Sequence, residues 1–216
     1  MTHLEQIEQK LKDIFNNTTD GFFVDIGAHD GISINNTKML EDLGWDGICI
    51  EPHPKVFQRL VQNRTCKTVN CAVWDHNTKV KFLALTGPTE MLSGIQESYD
   101  PKHYQRIQFE LRRDGGTSEI IEIDALKFES IVMNKKIDFM SIDTEGSELQ
   151  ILKQINFENY DIELICVENN FFEHKFEEFF LTKGYHLHCN IGIDFFFKKI
   201  ENENCIDYRM FRFDRI

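Results

Sequence analysis

The chain has 216 residues, 41% of them hydrophobic, with nineteen phenylalanines and a formal net charge of −12. That length fits a single domain spanning 1–216 with one large core. The acidity argues against nucleic acid, because affinity for a polyanion comes largely from lysines and arginines that displace counterions, and Arg106, Arg112 and Arg113 stand among acids. No segment has the apolar length of a signal peptide or a bilayer span, so no membrane partner is expected. Cys49, Cys66, Cys71, Cys166, Cys189 and Cys205 form no CxxC pair and no zinc spacing. These features point to a reducing cytoplasm, while oligomeric state leaves no signal.

Leu4, Ile7, Leu11 and Ile14 recur at helical spacing, which predicts an N-terminal helix within residues 1–20, closed by the polar cluster Asn16 to Asp20. A buried strand follows over Phe22 to Ile26, then a glycine-bearing loop and a helix over Asn35 to Leu43, with Gly44 as its left-handed cap. Strands are expected at Ile48 to Glu51, Thr68 to Val73, Val80 to Leu85 and Ile120 to Ile123, with a helix at Pro54 to Asn63. Gly87 to Gly116 holds loop signals without clear periodicity, and reads as a lid or acceptor-binding insert. A helix over Ala125 to Val132, a strand over Ile137 to Ile142 and a helix over Gly146 to Gln154 come next. Ile162 to Val167 reads as a strand and Phe171 to Thr182 as a helix, with Phe171, Phe172, Phe176, Phe179 and Phe180 in the core. Strands at Tyr185 to Asn190 and Ile193 to Lys199 flank a tight turn and must pair antiparallel. Alternating strands and helices imply an α/β, mostly parallel sheet covered on both faces. A parallel sheet ending in a hairpin resembles the Rossmann-like, seven-stranded class I methyltransferase core.

Ligands of such sheets bind beyond the carboxyl ends of the strands. The first loop there is Asp25-Ile26-Gly27-Ala28-His29-Asp30-Gly31, whose glycines allow sharp turns and close approach. Asp25 is placed to accept from a cofactor amino group or to orient the loop. Glu51 ends the second strand, where an acid accepts from ribose hydroxyls. A nicotinamide-binding loop needs glycine two and five residues after its first. His29 and Ile32 occupy those positions, which disfavours an oxidoreductase.

The run Phe23 to Gly31, with Asn36-Thr37, Glu51-Pro52-His53-Pro54 and Phe57, resembles the FkbM family of methyltransferases. Asn70-Cys71-Ala72-Val73, Leu92-Ser93-Gly94-Ile95, Ile142 to Glu148 and Val167-Glu168-Asn169-Asn170 continue the resemblance, which spans about Gly21 to Phe197. It departs at His29, where many members carry asparagine. The resemblance implies S-adenosylmethionine as methyl donor and an oxygen acceptor, often on a sugar or a natural product. Asp25, Gly27, Ala28, His29, Gly31, Glu51 and Asp143 become candidate cofactor residues, with Ala72 near the adenine.

Asp143, Glu145 and Glu148 follow one central strand, and Glu168, Asn169 and Asn170 follow its neighbour, so both groups should project toward the cofactor. Methyl transfer needs in-line approach of an oxygen and a group to attract its proton. Asp143, Glu145 and Glu168 are therefore the candidate catalytic residues. Asp143, Glu168 and Asn169 are an oxygen-rich set that suits Mg²⁺, an arrangement similar to that of macrocin-type O-methyltransferases. The alternative for these acids is to cap the following helix, with Glu148 holding the turn. His53, His174, His186 and His188 are further bases to which no catalytic role is assigned. A sugar or glycan hydroxyl is the expected acceptor, against a protein, another metabolite or a non-catalytic binding module, and Tyr99 and Tyr104 are candidates to stack on a sugar ring.

Overall fold

A computed structural model describes residues 1–200, so Cys205 lies outside the described residues. Helix α1 (His3–Phe15) begins on a capping box: the Thr2 hydroxyl accepts from the Glu5 amide, and the Glu5 carboxylate accepts from the Thr2 amide. It ends at Asn16, whose left-handed φ of 50° matches the expected break. The order then runs β1 (Phe22–Ile26), α2 (Lys38–Asp42), β2 (Asp46–Ile50), α3 (Pro54–Asn63), β3 (Lys67–Val69), β4 (Ala72–Val73) and β5 (Thr78–Leu85). A 3-10 turn (Gly87–Leu92), β6 (Gly94–Ile95), α4 (Pro101–Asp114), β7 (Ser118–Leu126) and α5 (Phe128–Ile131) follow. The chain continues through β8 (Lys136–Ile142), α6 (Glu148–Gln154), β9 (Asp161–Glu168), α7 (Lys175–Thr182), β10 (Tyr185–Ile191) and β11 (Asp194–Lys199).

The main sheet has seven strands in the order β10-β11-β9-β8-β1-β2-β3. Five central and edge strands run parallel, and β11 pairs antiparallel with both β9 and β10. This is the expected parallel sheet with a terminal hairpin. Its central strands are apolar on both faces because helices cover both: Val24, Ile26, Met140 and Ile165 pack on one side, Phe23, Phe139 and Leu164 on the other. Phe180 stacks on Phe197 with ring centroids 4.1 Å apart, pinning α7 to the hairpin.

Several boundaries differ from the sequence reading. The single strand expected over Thr68 to Val73 is two strands in different sheets: the chain leaves the main sheet after β3 and enters a second sheet, of order β4-β7-β5-β6. Asn70 marks the break, its side-chain amide donating to the carbonyls of Glu51 and Pro52. Ala125 and Leu126 extend β7 instead of opening a helix, since both pair with β4. The helix expected from Asn35 begins only at Lys38. The stretch Gly87 to Gly116 contains a fourteen-residue helix, α4, capped by Asp100 and opened by Pro101. Phe176 and Phe180 are buried as expected, but Phe171 and Phe172 precede α7 and are 45% and 57% exposed.

Candidate active site

The cleft opens at the carboxyl ends of β1, β2 and β8, where strand order reverses between β1 and its two neighbours. It encloses about 690 Å³ of space free of atoms, part of it open to solvent, between Gly27, Glu51, Ala72, Ile95, Asp143 and Ile151. Two amides of the loop after β1, those of Gly27 and Ala28, donate to the Ile50 carbonyl, which ties this loop to the end of β2. Gly27 has φ +88°, and a Cβ there would stand 1.6 Å from the Asp143 carbonyl oxygen, so only glycine fits.

Glu51 is 6% exposed. Each of its carboxylate oxygens accepts one backbone N–H, from His29 at 2.9 Å and from His53 at 2.7 Å. One lone pair on each oxygen is left for donors in the cleft. Burial pushes this carboxyl up to about 7, reinforced by the charges of Asp25 and Glu90 and opposed by the two amides.

The sequence-predicted cofactor residues divide into two groups. Gly27, His29, Glu51, Ala72 and Asp143 line the cleft. Asp25, Ala28 and Gly31 stand behind it. Asp25 is 3% exposed and accepts from Asn35 at 2.8 Å and from the Thr37 hydroxyl at 2.7 Å, so the loop-orienting role is the one its geometry fits. Ala28 is packed in the core, and Gly31 rests against Leu60 and Arg64. His29 faces Glu90, 3.3 Å away, in the 3-10 turn that arches over the cleft, and Arg59 pairs with the same Glu90.

Arg64 carries no sequence signal, yet it holds this loop from below. Its guanidinium donates to Glu41, Asn35, Thr37 and the Gly31 carbonyl, and it lies 5.2 Å over the Phe23 ring. His53 lines the cleft with both ring nitrogens engaged: Nε2 donates to the Leu85 carbonyl at 3.0 Å, and Nδ1 accepts from the Lys55 amide at the start of α3. Its chemistry there is structural.

Three acids converge beside the cleft. One oxygen from each of Asp143, Glu145 and Glu168 lies within 4.8 Å of the others. Asp143 lines the cleft, open to its space yet hemmed by its walls, with one carboxylate oxygen within 4.8 Å of one from Glu168. Burial raises the Asp143 and Glu145 carboxyls well above the usual range, with neighbouring acids adding to the effect. The same causes raise Glu168 to about 9. Glu148 takes the helix-start role considered for these acids: its Oε1 accepts from the amides of Thr144 and Gly146 and from the Thr144 hydroxyl. Asn169 is engaged away from the cluster, accepting from the Glu173 amide at 2.9 Å and donating to the Glu173 carbonyl at 3.1 Å.

A second cavity adjoins the cleft across the Asp143–Glu168 contact. Tyr99, His103, Glu168, Asn170 and Phe171 are among its walls. Asn170 donates to Glu168 Oε2. His103, from α4, is 3% exposed and reaches within 3.2 Å of Glu145. The sequence reading missed it.

Among curated proteins the sequence has no significant match. Solved structures resemble it at low identity. The precorrin-6y C5,15-methyltransferase from Geobacter metallireducens GS-15 shares 11% identity over 85% of this chain and 72% of its own, with a TM-score of 0.44. The METTL16 methyltransferase domain shares 13% over 94% and 70%, with a TM-score of 0.49. The human methyltransferase 10 domain containing protein shares 12% over 90% and 80%, with a TM-score of 0.43. Likenesses at this level carry no weight on substrate or site. The sequence profile of the methyltransferase FkbM domain, by contrast, matches residues 25–205, most of the chain from Asp25 onward. The protein thus belongs to the FkbM family of S-adenosylmethionine-dependent methyltransferases.

Proposed function

We propose that the protein is an O-methyltransferase acting on a hydroxyl of a sugar or glycan, with the whole chain as one catalytic domain. The observation that carries this reading is the second cavity: carboxyl and amide groups of Glu168 and Asn170 stand there with the rings of Tyr99 and Phe171, directly beside the acids of the cleft. Hydroxyl-rich ligands are held by such oxygen and amide groups, and aromatic faces cover their apolar sides.

The cleft fits the cofactor. Glu51 has two lone pairs left to accept from vicinal hydroxyls, Ala72, Phe82 and Ile151 offer apolar walls to a flat base, and the acid-rich floor suits a cation. When bound, S-adenosylmethionine supplies a methyl group on a positively charged sulfur. Glu51 would hold the ribose, Gly27 and His29 the loop side, and Asp143 the end nearest the chemistry. The acceptor hydroxyl would enter from the second cavity, with its oxygen directed to the end of the cleft lined by Asp143. Its proton passes to the carboxylate cluster, where Asp143, Glu145 and Glu168 stand within reach of one another. The 3-10 turn, through Glu90 and Met91, and α4, through His103, border the site. Among the described residues no helix is long and apolar enough to cross a membrane.

A mass-spectrometric screen with isotope-labelled S-adenosylmethionine tests the proposal. Label should appear on a free, nucleotide-linked or glycan sugar. Transfer to protein side chains or another metabolite, with every sugar inert, overturns the acceptor assignment while leaving the family and fold intact.

A further inference from the structure

His103 Nε2 and Glu145 Oε2 face each other at 3.2 Å in the wall between the cleft and the second cavity, and neither atom has a hydrogen-bond partner. Both residues are buried, His103 being 3% and Glu145 9% exposed. Their positions are fixed from opposite sides. Tyr99 stacks on the His103 ring, centroids 5.2 Å apart and planes 11° from parallel, while the Tyr99 hydroxyl donates to the Leu92 carbonyl at 2.7 Å. Glu145 lies in the tight loop held by Glu148. Leaving a buried polar atom unpaired is unfavourable, so two such atoms in contact mark a place where a shared partner belongs.

The surroundings point the same way. Asp143, Glu145 and Glu168 bring three carboxylate oxygens within 4.8 Å of one another. The nearby cation Arg106 is turned to Glu110, to which it donates at 2.8 Å.

We propose that Asp143, Glu145, Glu168 and His103 form a divalent-cation site, with one oxygen from each acid and Nε2 of the histidine as ligands. A donor set of three carboxylates and one imidazole suits ions that accept both oxygen and nitrogen, such as Mn²⁺ or Zn²⁺, over ions held by oxygen alone. It differs from the oxygen-only set suggested by the sequence, because Asn169 is committed to Glu173. A cation there gives both atoms a partner, balances the acids, and stands where it can polarise an acceptor oxygen approaching the cleft. An amine of the acceptor is the other source of positive charge, and the experiment separates the two. The site does not depend on the acceptor being a sugar.

The test uses the full-length protein, stripped with EDTA and titrated with MnCl₂ in the absence of cofactor and acceptor. Binding is read by calorimetry and by loss of the free Mn²⁺ paramagnetic resonance signal. One equivalent should bind, and His103→Gln and Glu145→Gln should each weaken binding at least ~10-fold. Asp124→Asn, in the exposed pair with Lys79, should leave it unchanged. Thermal unfolding establishes that each variant is folded, and if His103→Gln is not, Glu145→Gln carries the comparison. Absence of Mn²⁺ binding, or binding that both substitutions leave intact, overturns the proposal. Binding of glucosamine in place of Mn²⁺, lost in Glu145→Gln, overturns it in favour of an acceptor amine.

Discussion

Glu51→Gln separates the cofactor reading from a purely structural role, through the sign of its pH dependence. The folded protein holds the Glu51 proton up to about pH 7, against an ordinary value of 4.5. Between those values the folded state binds more protons than the unfolded state, so this group's contribution to stability falls as pH rises, reaching its full penalty above pH 7. The penalty amounts to about 3 kcal/mol. Cofactor binding has the opposite sign, because ribose hydroxyls donate to the ionised carboxylate. With the carboxyl at about 7, roughly a tenth is ionised at pH 6 and nine-tenths at pH 8, which makes the apparent affinity about 10-fold higher at the upper value. Glutamine keeps one acceptor oxygen but turns an NH₂ toward a backbone N–H. It should therefore bind S-adenosylhomocysteine about 1.5–3 kcal/mol less tightly and with no such slope. Calorimetric titration at pH 6, 7 and 8 reads the affinity, and thermal unfolding of both proteins at those values reads the stability difference. A wild-type affinity that is flat across this range, or an equal slope in Glu51→Gln, refutes the assignment of Glu51 to the cofactor.

Asp143→Asn and Glu168→Gln should each lose at least ~100-fold in turnover, Glu168→Gln with S-adenosylhomocysteine binding retained, measured by labelled methyl transfer to the acceptor found in the screen; full turnover in both would remove them from the chemistry. Arg64→Ala leaves Glu41 and Asp25 without their buried partner, and should lower stability by about 3–5 kcal/mol in urea unfolding; a change below 1 kcal/mol would show that the loop stands without it. Phe180→Ala should cost about 3–5 kcal/mol, since that ring is fully buried against Phe197. Phe172→Ala should stay within about 0.5 kcal/mol, because its ring is 57% exposed.

The main sheet was legible because its signals are local. Phe22 to Ile26 and Ile137 to Ile142 are apolar runs bounded by breakers, and the hairpin turn at Gly192 forces β10 and β11 antiparallel. The second sheet was not. Thr68 to Val73 reads as one continuous strand, and only the tertiary bond from Asn70 to the Glu51 carbonyl shows where the chain changes sheets. Phe171 and Phe172 extend the spacing of Phe176 and Phe180 backwards, but Phe172 takes a φ of 52° that no helix continues through. Periodicity cannot tell a helical face from a rim of exposed rings just before it.

The site follows the same division. Topology alone places Gly27, Glu51, Asp143 and Glu168 at one end of the sheet, because a parallel sheet collects all its strand ends there. His103 depends instead on α4 folding back across that end. Its helix had local marks, Asp100 as cap, Pro101 in the first turn and Gly115 after the last, with His103, Ile107 and Leu111 at successive i, i+4 positions. A histidine at the first of those positions hides the apolar stripe from a count of hydrophobic residues. What makes it informative is the exchange itself: a residue that could have been apolar on a buried stripe carries instead a nitrogen that makes no hydrogen bond within the protein. Burying that group is unfavourable unless a partner arrives, and the atom beside it is an oxygen of Glu145, one of the acids the strand ends bring together. An unpaired polar atom on the packed face of a covering helix is thus a second mark of the candidate site beside the acids at the strand ends, but only once the helix is seen to cross it.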